Sequence, residues 1–323
     1  MPRYGAGFPF PLLDHDAATA RVKAAVAARE PFSMIRIGDG EAATLSVDDS
    51  VWLQDLEYLS THWGAERVTL GAVRQVKEDL QAALRSADLI GVRSDVVNAE
   101  TPSDLLEWTA AEAAAYIRAE VPLRDNERQI LSKIAGRRLA MVNKRMQEQE
   151  WSPQQAFCSA WIHWELLATG ALDDILVGVT EVVLVTSKPE LEHLVSRRFG
   201  VRVTVVPVPE KYVEAPVAAS HVPDRYRVIR DELDFPPGSL VLVGAGIPGK
   251  AYCHWLKEAG CVALDIGSVA DAWIGKPSRP LVLTSHFGVP GGTRVPDALR
   301  LTGDTSQAGR RLTPRWKPER ARP

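Results

Sequence analysis

The stretch Phe32-Ser-Met-Ile-Arg-Ile-Gly-Asp-Gly-Glu41 decides how this chain is interpreted, because an apolar run ends there at two glycines that alternate with two carboxylates. Residues 33–37 have the pattern of a half-buried strand. Gly38 and Gly40 predict a tight turn directly after that strand, since glycine adopts backbone conformations that other residues avoid. The two carboxylates would then point to one side of the chain at the end of a strand.

The carboxylates of Asp39 and Glu41 form an Asp-x-Glu pair. Two hard oxygen ligands on a loop suit a divalent cation that is shared with a substrate diphosphate. Arg36 lies just before them and would either bind a phosphate or brace a carboxylate. A structural alternative stays open, because Asp-Gly pairs commonly form turns and Glu41 would also suit the first turn of a helix.

Composition limits the classes of protein to be considered. The chain has 323 residues, of which 46% are hydrophobic and 24% charged, so it can bury an ordinary core in one large or two modest domains. A net charge of -3 and a pI near 6.2 give no reason to expect nucleic acid as a partner. No apolar run is long enough for a transmembrane segment, and the first residues do not resemble a signal peptide, so a cytoplasmic location is expected.

Alternating helix and strand patterns indicate an α/β protein. Asp14 or Asp16 is expected to cap a helix that runs to Arg29. The pattern then predicts helices at 51–63, 65–87, 101–121, 189–199 and 251–259, and strands at 86–92, 138–142, 181–186, 201–206, 239–244, 263–265 and 280–284. Asp95 follows one of these strands and is a minor site candidate.

Residues 156–167 contain a cysteine, a serine and a histidine that a search for catalytic triads would select. Their apolar residues recur at helical spacing, which favours a packed helix over a nucleophile at Cys158. On that helix His163 is expected to be solvated or to act as a cap. Ser159 and His163 remain minor candidates for a cleft.

A second glycine-rich segment follows the strand at 239–244. Gly244, Gly246 and Gly249 fit Gly-x-Gly-x-x-Gly, and Asp265 closes the next strand at the distance that a dinucleotide fingerprint requires. With Lys250 the same segment also fits the start of a P-loop. Ala251 stands where a P-loop needs Ser or Thr, so ATPase or kinase chemistry is disfavoured.

The segment from Arg36 to Glu41 closely resembles the Arg-x-Gly-Asp-Gly-Glu signature of the GT-D-fold glycosyltransferases. The resemblance implies that Asp39 and Glu41 bind Mn²⁺ or Mg²⁺, which holds a nucleotide-sugar donor. Ala263-Leu-Asp-Ile-Gly267 also resembles the ending of a strand in that family. Ser268 departs from the histidine that is usual at the next position, and Asp271 keeps an acidic group nearby.

The resemblance therefore implies a metal-dependent, hexosyltransferase-type enzyme that moves a sugar from a nucleotide-diphosphate donor to a hydroxyl of a glycan, glycoconjugate or small molecule. The candidate catalytic residues are Asp39, Glu41, Asp265 and Asp271. The candidates for binding donor and cofactor are Arg36, Gly38, Gly40, Lys211, Gly244, Gly246 and Gly249. The alternatives are an NAD(P)-dependent oxidoreductase built on 244–249 and a non-catalytic nucleotide-sugar-binding protein, and the oligomeric state stays open.

The fold class expected is a single α/β domain over residues 14–285, with a Rossmann-like, largely parallel sheet and helices on both faces. Residues 1–13 would be an N-terminal lead. Residues 286–323 are rich in Gly, Pro and Arg and are predicted to form a flexible basic tail, since they lack an apolar periodicity.

Overall fold

A computed structural model of the chain describes residues 11–47, 53–65, 68–92, 146, 149–210 and 220–301. These residues form one sheet of seven strands, and every pair of neighbouring strands is parallel. The strands are β1 (Phe32–Arg36), β2 (Leu89–Val92), β3 (Ala156–Ser159), β4 (Glu181–Thr186), β5 (Arg202–Pro207), β6 (Leu240–Gly244) and β7 (Val262–Asp265). Their order across the sheet is β3-β2-β1-β7-β6-β4-β5.

In the described ranges, helices follow β1, β3, β4, β5 and β6 and make the connections that parallel pairing requires. Within the described ranges they are α1 (His15–Ala28), α2 (Asp39–Leu45), α3 (Leu53–Trp63), α4 (Leu70–Ser86), α5 (Ile162–Ala168), α6 (Ala171–Val177), α7 (Leu191–Phe199), α8 (Tyr226–Glu232), α9 (Gly249–Glu258), α10 (Val269–Trp273) and α11 (Pro280–Phe287). A short π-helical turn, His221–Arg225, precedes α8.

Both faces of the sheet are covered, and this explains why the strand sequences are almost continuously apolar. One face packs against α2, α3, α4, α8 and α9, and its core includes Ile35, Val243 and Leu80. The other face packs against α1, α5, α6, α7, α10 and α11, and its core includes Met34 and Leu264. The predicted single α/β domain with a parallel sheet and helices on both faces is confirmed.

The two glycine-rich segments meet because β1 and β7 are neighbours at the centre of the sheet. Met34 in β1 pairs with Leu264 in β7. β6 lies on the other side of β7, with Val243 opposite Asp265. Parallel strands end at the same edge, so the residues that follow β1, β6 and β7 lie together at the carboxyl edge of the sheet, where open α/β sheets bind ligands.

Several predicted elements are confirmed, beginning with the first helix. Asp14 caps α1, because its Oδ1 accepts a hydrogen bond from the backbone N–H of Ala17 at 2.8 Å. The βαβ unit from β4 through α7 to β5 is also present. No helix in the described part of the chain has the length and apolar character needed to cross a bilayer.

Two predicted elements are of the wrong type. Residues 156–167 were expected to form one helix, but they form the edge strand β3 followed by a turn and α5. Residues 280–284 were expected to form a strand, but they belong to α11, which begins at Pro280. Proline suits the first turn of a helix, and a short apolar run does not distinguish a strand from a buried helix.

The body of the protein also extends beyond the predicted boundary at residue 285. Val289, Val295 and Leu299 are buried in the core of the second face. The backbone N–H of Leu301 donates to the carbonyl of Trp273 at 2.8 Å. These apolar residues lie in short turns and therefore show no periodicity in the sequence. The remainder of the proposed tail, residues 302–323, lies outside the described residues, as do the predicted elements at 101–121 and 138–142.

Candidate active site

The candidate site begins with Arg36, the last residue of β1, whose guanidinium braces the end of β7. Its Nη2 pairs with Oδ1 of Asp265 at 2.9 Å, and its Nε donates to the Asp265 carbonyl at 3.3 Å. Its Nη1 lies 2.9 Å from Nε2 of His163, at the start of α5. Arg36 therefore braces a carboxylate, which was one of the two roles considered for it.

Gly267 leaves the space that the Arg36 guanidinium occupies, because it has no side chain. Its φ of 43° is in the left-handed region, and a Cβ added there would lie 2.1 Å from Nη2 of Arg36. The glycine of the Asp-Ile-Gly ending of β7 thus provides room for an arginine from the neighbouring strand. The next residue, Ser268, accepts a hydrogen bond from the indole N–H of Trp164 at 3.1 Å.

Lys250 is the second cation at this edge, and it lies in the first turn of α9. Its Nζ is 2.8 Å from Oε1 of Glu41 and 3.1 Å from Oδ2 of Asp265. It also donates to the carbonyl of Gly246 at 3.0 Å. Lys250 thereby ties together the ends of β6 and β7 and the segment that follows β1.

Glu41 occupies the first turn of α2, as the structural alternative proposed. Its Oε2 accepts a hydrogen bond from the backbone N–H of Gly38 at 2.8 Å, so it closes the start of the helix. Gly38 has an extended backbone with φ of −134°, and Gly40 is helical. The prediction that these glycines supply unusual φ values in a tight turn is therefore wrong.

Close packing explains Gly40 instead. A Cβ at Gly40 would lie 2.9 Å from Cδ1 of Ile247, which belongs to the second glycine segment. In that segment Gly246 has φ of 63° and is exposed, and no atom of the described residues lies within 4 Å of an added Cβ. A Cβ at Gly249 would lie 3.1 Å from Val243. The two segments therefore pack directly together and leave open space above Gly246.

The charges of this group are fixed by their burial and pairing. Burial alone would raise the pKa of Asp265, but Arg36 and Lys250 outweigh burial and lower it. Burial alone would lower the pKa of Lys250, but Asp265 and Glu41 outweigh it and raise that pKa. Burial and the Arg36 guanidinium together hold the pKa of His163 well below its ordinary value, so His163 is neutral. We call Arg36, Glu41, Lys250 and Asp265 the central charge network.

A second set of charges lies at the ends of β4 and β5. Nζ of Lys188 pairs with Oε1 of Glu210 and lies 3.7 Å from Oδ1 of Asp271. Nζ of Lys276 is 2.7 Å from the same Glu210 oxygen. Although partial burial opposes it, pairing with the two lysines lowers the pKa of Glu210. We call these four residues the Lys188 cluster. A Cβ at Gly244 would lie 3.7 Å from Oγ1 of Thr186, near the start of this cluster.

The structure brings most of the predicted site residues to one edge. Arg36, Gly38, Gly40, Glu41, Gly244, Gly246, Gly249 and Asp265 all lie at the ends of β1, β6 and β7, and Asp271 belongs to the Lys188 cluster. The backbone of Asp39 starts α2. Lys211 and Asp95 lie outside the described residues.

Other members of the site were not predicted. Lys188 and Lys276 were missed, because isolated lysines after a strand have no distinctive pattern. His163 was expected to be solvated or capping, but its side chain is buried and contacts Arg36. Lys250 was considered only as a P-loop residue. Its position directly after the glycine turn was the one available signal.

The fit of a metal ion can be tested on Glu41. Both of its carboxylate oxygens already have partners, namely the Lys250 ammonium and the Gly38 N–H. Among the described residues, no three His, Cys, Asp or Glu side chains are grouped as a metal site would need. The arrangement of Glu41 therefore does not fit a divalent cation, and the metal assigned to Asp39 and Glu41 stays a prediction.

The fold and this edge together define a doubly wound α/β protein with a network of charged side chains at the carboxyl ends of its central strands. A family model described as a GT-D fold-like domain matches residues 13–116 and 130–273. The match covers well over half of the chain. The chain therefore belongs to the GT-D-like family.

Two solved structures are similar to this chain. One is a selenomethionine-substituted structure of domain of unknown function 1792, with a TM-score of 0.45 and 11% identity over 82% of this chain and 80% of that chain. The other is described as the highly conserved domain of unknown function 1792 with a distinct glycosyltransferase fold; its TM-score is 0.40, with 11% identity over 79% of this chain and 82% of that chain. No curated protein matches the chain.

Proposed function

We propose that this protein is a glycosyltransferase that transfers a sugar from a nucleotide-diphosphate donor to an acceptor hydroxyl. The observation that carries the proposal is the meeting of two glycine-rich segments at the carboxyl edge of the sheet, joined by the Lys250–Glu41 ion pair. Membership of the GT-D-like family supports it. The acceptor would be a glycan, a glycoconjugate or a small molecule, and a hexose is the sugar class that we favour.

The donor would lie above Gly246, where the backbone is exposed and no side chain in the described part of the chain fills the space. A phosphate can approach the backbone closely at such a glycine turn before a helix. Lys188 and Lys276 would stabilise the charge that develops on the leaving diphosphate as the glycosidic bond breaks. For this role the two ammonium groups would release the Glu210 carboxylate and bind the phosphate oxygens of the donor. The proposed steps use only cations that the chain itself supplies.

The central charge network would position the site and would not react. Asp265 is buried and both of its oxygens face cations, so it is not available as a base. Asp271 is the remaining candidate to accept a proton from the acceptor hydroxyl among the described residues. Asp39 would contribute to the site from its position as the first residue of α2.

The same geometry disfavours the nicotinamide-dependent alternative. A dinucleotide enzyme needs the acidic residue at the end of the second strand to hydrogen-bond an adenosine ribose. Asp265 is instead buried at 1% exposure and paired with Arg36 and Lys250. The carboxylate that completes the fingerprint is therefore already engaged within the protein.

A thermal-shift screen tests the proposal. Nucleotide sugars, free nucleoside diphosphates and NAD(P)(H) would each be added with and without Mn²⁺. A ligand that binds only the native state at a hundredfold excess over its Kd stabilises it by about 2.7 kcal/mol. We expect a shift with a nucleotide sugar, followed by release of nucleoside diphosphate when acceptors are supplied. Binding without release would favour a non-catalytic binding protein, and saturable nicotinamide binding would contradict the proposal.

A further inference from the structure

The buried ammonium of Lys250 is surrounded by oxygen atoms from three segments of the chain. Carboxylate oxygens of Glu41 and Asp265 lie at 2.8 and 3.1 Å, and the carbonyl oxygen of Gly246 lies at 3.0 Å. The lysine side chain is 5% exposed and the Asp265 side chain 1%. A single positive charge thus lies between two buried carboxylates, at the edge where the family resemblance leads one to expect a metal ion.

This oxygen environment is of the kind that a hard divalent cation prefers, since it offers carboxylate and carbonyl ligands. The 2.8 Å distance to Glu41 is that of a charge-assisted contact from an ammonium group. The 3.1 Å contact with Asp265 is an ion pair, since this Asp265 oxygen accepts no hydrogen bond from the described residues. Mg²⁺ would need oxygens at about 2.0–2.1 Å and several waters of its own. The lysine occupies the space between the carboxylates that such an ion would require.

The net charge of the central charge network also disfavours a divalent ion at this position. Arg36 pairs with one oxygen of Asp265 while Lys250 faces the other, so two cations already neutralise Glu41 and Asp265. A divalent ion added to these four side chains would give them a net charge of two positive units, which is costly where water is excluded. Lys250 cannot simply move aside, because the two carboxylates would lose their compensating charge.

We propose that Lys250 is the resident cation of this site and takes the place of a divalent metal at Glu41 and Asp265. Its ammonium holds both carboxylates and, through the Gly246 carbonyl, fixes the glycine turn above which the donor is proposed to lie. Glu41 and Asp265 therefore bind no Mn²⁺ or Mg²⁺ while Lys250 is present. The consequence for the donor, which is binding without added metal, rests on the proposed function; the consequence for metal binding does not.

Mn²⁺ binding to the intact protein tests the proposal directly. Titrations followed by electron paramagnetic resonance and calorimetry would compare the parent, Glu41→Gln, Lys250→Met and the double variant. We expect the parent and Glu41→Gln to show the same Mn²⁺ binding. Lys250→Met removes the ammonium but keeps an unbranched apolar stem, so it should gain one Mn²⁺ that the double variant no longer binds. The gained ion should also raise the Tm of Lys250→Met.

The parent protein keeps the proposal testable even if Lys250→Met does not fold. Mn²⁺ binding by the parent that disappears in Glu41→Gln would overturn it, because Glu41 would then be a metal ligand beside an intact lysine. A folded Lys250→Met variant that gains no Mn²⁺ would also contradict it. As a control, Lys276→Met removes a lysine ammonium of the Lys188 cluster and should gain no ion.

Donor binding gives a separate readout. Thermal shifts with a panel of nucleotide sugars are expected to be equal in EDTA and in Mn²⁺. A shift that requires Mn²⁺ and is lost in Glu41→Gln would overturn the role of Lys250. The absence of any shift would count against the proposed glycosyltransferase function, and the Mn²⁺ titration of the parent would still decide the role of the lysine.

Discussion

The central charge network and the Lys188 cluster lie at the same edge of one sheet but differ in how completely they are closed. In the central charge network, the side chains of Glu41, Lys250 and Asp265 are at most 7% exposed, and each charge faces an opposite one. In the Lys188 cluster, Lys188 is 7% exposed, but Glu210 is 41% exposed and Lys276 51%. The first group is held as part of the core, whereas the second can exchange a protein partner for a ligand.

This difference in exposure indicates separate roles for Lys250 and for the lysines of the Lys188 cluster. A buried ion pair is expensive to break because the remaining charge loses its compensation, while an exposed pair contributes little to stability. Lys250 is therefore suited to fixing the geometry of the site, and Lys276 is suited to meeting a phosphate. The following substitutions would break or sharpen this contrast.

The largest effect is expected for Asp265→Asn. This change leaves Arg36 without its buried counter-charge and Lys250 with Glu41 alone, while the volume of the side chain stays nearly the same. Removal of one partner from a buried pair costs about 3–5 kcal/mol, so the free energy of unfolding should fall by that amount in guanidinium titrations. A loss of less than about 1 kcal/mol would mean that the central charge network is not part of the core.

Gly40→Val tests whether close packing between the two glycine-rich segments also stabilises the central site. The new side chain would meet Ile247, because an added Cβ already lies 2.9 Å from its Cδ1. Overpacking should cost about 1–3 kcal/mol. Gly71→Ala in α4 is the control, since no atom of the described ranges lies within 4 Å of its added Cβ, and it should be neutral or stabilising.

A double-mutant cycle sharpens the Gly40 result. If the clash with Ile247 is the cause, Gly40→Val combined with Ile247→Ala should lose less stability than the sum of the two single variants. Strict additivity would instead assign the cost of Gly40→Val to the backbone of α2.

The sequence was sufficient for the parts of the fold that depend on local pattern. Strand-length apolar runs, the Asp14 cap and the glycine segments each predict their element, and parallel α/β topology brings strand ends to one edge. Errors arose where a short apolar run fits two structures, as at 156–159 and 280–284. The packing of 286–301 was missed because buried residues in successive turns have no periodicity.

Prediction of the site was limited by long-range pairing. The residues of the Arg36–His163 contact are 127 positions apart, and those of the Arg36–Asp265 pair are 229 apart. The sequence places Arg36 and Asp265 at strand ends, but it does not show which strands are neighbours. Without that knowledge, Arg36 facing a phosphate and Arg36 facing a carboxylate are equally reasonable. The burial of His163 likewise depends on β3 forming the edge strand.

A pH titration of stability tests the neutral state of His163 beside the central charge network. Burial opposes its protonation most strongly, and the charges of Arg36, Arg279 and Lys250 add to this, so its pKa in the folded protein lies well below 6.5. As pH falls below 6.5, the unfolded chain takes up a proton that the native protein does not, and stability should decline by about 1.4 kcal/mol per pH unit from this residue.

His163→Gln keeps an acceptor for Arg36. It should remove the contribution of His163 to the dependence of the free energy of unfolding on pH. His193→Gln on the exposed side of α7 is the control for a histidine substitution away from the central charge network. An unchanged slope in His163→Gln, measured by guanidinium unfolding between pH 5 and 7 at constant ionic strength, would show that the imidazole is charged in the native state.

The smallest effect on stability is expected for Glu210→Gln in the Lys188 cluster. Its pair with Lys276 is largely exposed, and Lys188 keeps Asp271 at 3.7 Å, so the loss should be below about 1 kcal/mol. The substitution removes the carboxylate that competes with phosphate for the two ammonium groups. Calorimetry should therefore show tighter binding of a nucleoside diphosphate, with a steeper dependence on salt because the ammonium groups of Lys188 and Lys276 then face the ligand without the Glu210 carboxylate. Tighter binding that disappears in Glu210→Gln/Lys276→Met would assign the effect to this cluster. Weaker binding in Glu210→Gln would mean that Glu210 holds the lysines in their binding geometry and does not compete with the phosphate.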